Sequence, residues 1–159
     1  MNIKIISIGK LKESFLKDAC EEYLKRLSRF AKITVLELPE EKISDKSSSK
    51  EEEAVKDAEA QRMVDKIKEN EWVILLTPEG KMLSSEELAE MIAKTTLGGI
   101  ANITFLIGGS LGIGKAARQR ANAQLSFGKM TFPHQLFRVM LLEQIYRACK
   151  INANETYHK

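Results

Sequence analysis

The sequence has 159 residues, 43% of them hydrophobic and 30% charged, with a formal net charge of +3. That length fits one domain with a real core, so residues 1–159 are expected to fold as a single unit, and the mild charge does not by itself compel a nucleic-acid partner. Two cysteines without a CxxC or Cys/His cluster argue against a metal site, and the absence of a signal-peptide pattern or a membrane-length apolar run predicts a cytoplasmic protein with no membrane partner.

Asn2–Ile8 is β-branched and apolar, and it stops at Gly9, the pattern of a buried strand. Over Glu13–Phe30 the apolar residues Phe15, Leu16, Ala19, Tyr23, Leu24 and Leu27 recur at helical spacing. Lys32–Leu38 reads as a second strand stopped by Pro39, and Glu40–Ser49 as a polar loop. Lys50–Asn70 is a long charged helix with a narrow stripe through Ala54, Ala58, Gln61, Val64 and Ile67. Glu71–Thr77 is a third strand ending at Pro78. Ser84 and Glu87 have capping-box spacing and open a helix running to about Thr96, ended by Gly98 and Gly99. Ala101–Ile107 is a fourth strand, Lys115–Ala123 a helix and Leu125–Phe127 a short strand. His134–Lys150 is an apolar helix before a short tail. The alternation predicts an α/β fold with a mostly parallel sheet and helices on both faces.

The charge distribution says more than its sum. No Asp or Glu lies between Met91 and Leu142, whereas Lys94, Lys115, Arg118, Arg120, Lys129 and Arg138 do. A locally basic surface suits a phosphate-rich partner or an anionic cofactor, and scattered cations on outer helix faces account for it equally well. Arg118, Arg120 and Arg138 are the candidate RNA contacts. Arg138 serves equally as a partner for a ligand carboxylate.

The fourth strand runs straight into Gly108-Gly109-Ser110-Leu111-Gly112-Ile113-Gly114, and three chemistries compete for this loop. A P-loop needs a hydroxyl after GxxxxGK, but Ala116 stands there, and no Asp follows Asp65 to hold magnesium. A dinucleotide fingerprint, matched at Gly112–Ala117, needs an acid about 20 residues on, where the chain reads LSFGKMTFPH. A methyl-donor pocket for S-adenosylmethionine needs neither metal nor acid, only backbone groups brought close to adenine and ribose. A plain glycine-rich turn between strand and helix fits as well.

The segments FLIGGSLGIG, LSFGKMTFPHQLFRVMLLEQIYRA and terminal TYHK, with IKIISIGKLK, ELPEEK and EGKMLSSEELA, resemble the RlmH family of small SPOUT-class methyltransferases over essentially the whole chain. The resemblance implies an α/β knot, with a C-terminal trefoil knot, that works as a homodimer. It implies transfer of a methyl group from S-adenosylmethionine, without a metal, to N3 of a pseudouridine in 23S ribosomal RNA of the assembled ribosome. By position it places donor contacts on Leu76, Gly108 and the run Phe127, Gly128, Lys129, Met130, Thr131 and Phe132. Core packing alone would also explain Phe127, Met130 and Phe132. For the tail, the resemblance favours an ordered segment that completes a site. Tyr157 would hold the base and His158 would take the proton, where a chain end by itself reads as frayed. Glu143 and Arg147, one helical turn apart, read as a surface ion pair, and His134 as a helix-start packing residue. A non-catalytic RNA-binding protein on the same fold is the rival reading.

Overall fold

The computed structural model describes residues 1–159. Five strands form one sheet: β1 (Asn2–Ile8), β2 (Lys32–Leu38), β3 (Trp72–Met82), β4 (Asn102–Ile107) and β5 (Ala123–Ser126). Their order is β2-β1-β4-β3-β5, and every neighbouring pair is parallel. Five helices connect and cover them: α1 (Ser14–Leu27), α2 (Ser49–Val64), α3 (Ser85–Leu97), α4 (Lys115–Arg120) and α5 (His134–Asn152). The expected α/β architecture with a parallel sheet is what forms.

A parallel sheet buries both faces, so its strands read as apolar runs. Ile3 and Ile5 of β1 point to one face, where Cys20 of α1, Ile92 of α3 and Leu141 and Ile145 of α5 pack on them. Ile6 and Ile8 point to the other, against Ala60 and Met63 of α2 and Ala117 of α4. The first layer is the thicker, because three helices cover it and two cover the second. The Ser84–Glu87 capping box is present in both directions, which starts α3 where the spacing predicts.

Three helices are shorter than their sequence patterns. α1 ends at Leu27 rather than Phe30, where the Phe30 and Ala31 amides both turn back on the Leu27 carbonyl. α2 ends at Val64 rather than Asn70, because the Lys66 and Ile67 amides turn back on the Met63 and Val64 carbonyls. α4 stops at Arg120, where Asn122 takes over: its amide donates to the Val73 carbonyl and its side chain accepts from the Val73 amide. These two bonds to β3 outcompete further helix.

β3 runs past Pro78 to Met82, five residues beyond the expected end. Both Leu76 and Lys81 pair with Leu125, so the intervening residues 77–80 bulge out of the ladder. Gly80 makes this possible. A Cβ there would lie 2.7 Å from the Gln124 and Leu125 backbone, so no other residue lets β3 return to β5.

Candidate functional site

Ligands of open parallel sheets bind beyond the carboxyl ends of the strands. Here the bulge after Leu76, the loop after β4 and the segment after β5 meet at that edge. They enclose a cavity of about 540 Å³, within the usual range for a small-molecule site. Leu76, Gly108, Gly128, Met130, Thr131 and Phe132 all line it. Two of the positions expected at the donor do not. Phe127 packs its ring on Phe137 at 5.0 Å and faces a neighbouring cavity, so it backs the wall rather than forming it. Lys129 is exposed and outside the lining.

The glycine loop is braced from behind. Gly114 sits so close to α2 that a Cβ would lie 2.4 Å from the Lys56 carbonyl oxygen, so this glycine serves helix packing rather than ligand approach. Ser110 donates to Glu40 at 2.9 Å, and the Glu41 amide donates to Glu59 at 3.1 Å. Glu59 is 3% exposed, and burial pushes its carboxyl above the ordinary glutamate value. The short stretch after β2 thus ties the loop to α2.

The three arginines expected on RNA end in three different places. Arg118 lines the cavity, with Nη1 3.4 Å from the Thr77 hydroxyl and Nη2 3.6 Å from the Glu79 carboxylate. Arg120 lies at the opposite edge, donating to the carbonyls of Lys68 and Glu71 at 2.9 and 3.0 Å. Arg138 corrects the expectation outright for this chain. It is 2% exposed, and its guanidinium donates to Glu37 at 2.6 Å, Ser7 at 3.0 Å and the Gly9 carbonyl at 3.2 Å. It fastens α5 to the carboxyl ends of β1 and β2, so neither an RNA phosphate nor a bound carboxylate reaches it. Desolvation raises the Glu37 carboxyl, but the Arg138 guanidinium and the Leu11 amide outweigh it, and the net shift is downward.

The tail is ordered, and it lies away from the cavity. Tyr157 donates to Glu143 at 3.1 Å, stacks edge-on against Tyr146 at 4.9 Å and carries the Arg147 guanidinium over its ring. Burial and the Glu143 carboxylate push its phenol up to about 12. His158 bridges α5 and α3, with Nδ1 3.2 Å from Arg147 and Nε2 2.6 Å from Glu86. Glu143 and Arg147 are therefore the anchor of the tail rather than a solitary surface pair. Within one chain neither Tyr157 nor His158 lines the cavity.

Sequence reasoning missed Thr77, Glu79 and Phe137 as cavity residues and left His134 as a packing residue, although it lines the cavity too. The Thr-Pro-Glu-Gly run after an apolar strand was the available signal for the first two.

A parallel α/β sheet with a glycine-braced cavity at its carboxyl edge defines a small-ligand-binding protein of the three-layer type. Comparison with known proteins narrows this. Residues 1–158 match the family described as "Predicted SPOUT methyltransferase". The chain is 57% identical to Ribosomal RNA large subunit methyltransferase H of Clostridium novyi (strain NT) and 54% identical to the protein of that name from Lactobacillus acidophilus, across 100% of each chain. A solved structure described as a probable methylase family protein from Haemophilus influenzae Rd KW20 shares the fold, with a TM-score of 0.53 at 14% identity, covering 99% of this chain and 70% of that one. The chain belongs to the SPOUT methyltransferase family.

Proposed function

We propose that this protein transfers a methyl group from S-adenosylmethionine to N3 of a pseudouridine in 23S ribosomal RNA, acting on the assembled ribosome in the cytoplasm. The whole chain works as one domain with the family's C-terminal trefoil knot, and two copies form the active homodimer. The observation that carries the reading is the cavity that gathers Leu76, Gly108 and residues 128 and 130–132 at the carboxyl edge of the sheet. The names of the relatives support ribosomal RNA as substrate.

The cavity fits the donor in chemistry. Leu76, Ile107, Ile113 and Phe132 supply apolar wall for an adenine ring, and Gly108 and Gly128 bring backbone without side chains to the same lining. Bound there, the donor supplies a methyl group already activated on a sulfonium. What remains for the chain is alignment, worth roughly 7–11 kcal/mol in favourable cases, and acceptance of one proton. Tyr157 and His158 suit the acceptor side: the hydroxyl holds the base, and the imidazole takes the N3 proton. Their order at a chain end, held by Glu143, Arg147 and Glu86, supports a working role. Their distance from the cavity within one chain supports a site completed by a second copy. Exposed Met82, with Val139 and Met140 beside a second cavity of about 500 Å³, gives the apolar surface such a contact needs.

Mass spectrometry of ribosomal RNA from a deletion strain and its parent tests the reading. One methylated pseudouridine should vanish from the deletion strain and return when the purified protein and S-adenosylmethionine are added to its ribosomes. Identical nucleoside profiles would refute it.

A further inference from the structure

The cavity is not uniform. One side is the apolar wall of Leu76, Ile107, Ile113 and Phe132; the lip on the β3 side is charged, with Glu79 and Arg118 side by side. Their closest N···O separation is 3.6 Å, and their side chains are 68% and 36% exposed, so they are neighbours rather than a closed ion pair. A guanidinium has five N–H donors. Those of Arg118 meet only the Thr77 hydroxyl, at 3.4 Å, and the distant Glu79. Glu79 in turn accepts a hydrogen bond from the Thr77 hydroxyl, which with its own backbone amide and the nearby guanidinium keeps its carboxyl below the ordinary glutamate value. The remaining cation of the lining with a nearby acid, Lys56, is already bound to Glu53 at 2.5 Å.

An acid and a guanidinium set side by side on the lip of a cavity with an apolar wall match one kind of ligand end: an α-amino acid, with its ammonium and carboxylate on one carbon. The geometry points to Glu79 and Arg118 as the subsite for the amino-acid end of the methyl donor, Arg118 receiving the carboxylate and Glu79 the ammonium. This rests on the donor reading above and extends it to residues on the bulge and on α4. The bulge has a purpose in this arrangement. Residues 77–80 leave the β3–β5 ladder so that Thr77 and Glu79 stand over the cavity, while Gly80 brings the strand back. Arg118 then serves the donor and not an RNA phosphate.

Calorimetry on the purified protein separates the possibilities, using S-adenosylmethionine, S-adenosylhomocysteine and 5′-methylthioadenosine. The last keeps the adenosine and the sulfur and lacks the amino acid. Arg118→Gln and Glu79→Gln should each weaken the first two ligands about 10-fold or more, the effect of losing a charge-assisted hydrogen bond, and leave the third within about twofold. Arg118→Lys should fall between, because an ammonium cannot grip a carboxylate with two parallel bonds. Retained binding of 5′-methylthioadenosine also shows that the variants keep a folded cavity. Equal losses on all three ligands, or unchanged binding of the first two, would overturn the subsite. Unchanged donor binding together with a reduced salt dependence of ribosome binding would return Arg118 to the RNA and overturn it too. A native protein that binds none of the three would overturn the donor reading itself, and the subsite with it.

Discussion

Glu59 shows how a single side chain carries the history of its surroundings. It comes from a helix so rich in charge that the sequence assigns its acids to solvent, yet it is 3% exposed behind the glycine loop. Desolvation is the main cause of its raised value, and the Glu41 amide offsets only part of it. A carboxyl that holds its proton more tightly when folded stabilises the fold below the unfolded value of 4.5, and that contribution is lost as pH rises through the higher folded value. Ionising Glu59 inside the fold is therefore a cost. Glu59→Gln keeps an oxygen to accept the Glu41 amide and removes the charge. It should melt higher than the native protein at pH 7, and thermal melts should show the difference shrinking as pH falls from 7 to 4.5. A constant difference across that range would mean that charge burial is not the cause.

At the scale of elements, α5 is held at three points, and each point has its own chemistry. Its middle is packed through Leu141, Leu142 and Ile145. Its first half is bolted by Arg138 to Ser7, Gly9 and Glu37, across the ends of two strands. From Glu143 to Arg147, in its second half, it carries the tail. The Arg138 bolt matters for the site because His134 and Phe137, on the same helix, line the cavity. Removing Glu37 leaves a buried guanidinium short of its anion. Glu37→Ala should cost about 3 kcal/mol, the low end for a broken buried pair, since the Glu37 side chain itself is 35% exposed. Chemical denaturation reads that loss. Because Arg138 lies inside, Arg138→Met should leave the salt dependence of ribosome binding unchanged, whereas an RNA contact would lower its slope by about one.

At the scale of the molecule, the proposed donor cavity and the Tyr157–His158 tail occupy separate places on one chain, and a homodimer is the assembly that would join them. Two consequences follow for kinetics. Tyr157→Phe and His158→Ala should slow methyl transfer by about 10²-fold or more while leaving donor affinity unchanged, because in the proposed mechanism both act on the acceptor base and not on the donor. Mixing a His158→Ala protein with an Arg118→Gln protein should recover activity above either alone, since a heterodimer holds one intact tail facing one intact cavity. Additive, unrecovered rates in that mixing assay would place each tail at its own chain's cavity.

The amino-acid sequence by itself determined the element order, the parallel sheet and the glycine loop. Apolar runs, helical spacing and a capping box are local signals, and a strand buried on both faces has few other ways to read. The family resemblance, and not the residue pattern, marked Leu76, Gly108 and residues 128 and 130–132, which do meet in one cavity. Only the tertiary structure decided the destinations of the charges. Arg118, Arg120 and Arg138 look alike in sequence, yet one reaches the cavity lip, one caps backbone carbonyls at the far edge, and one is buried. A long flexible side chain takes its role from the partner it finds across the fold, and those partners, Glu79, Glu71 and Glu37, lie between 39 and 101 residues away. The same holds for the bulge at Thr77–Gly80: a strand's local pattern ends at Pro78, and it is the approach of β5 that carries the strand on and lifts Glu79 over the cavity.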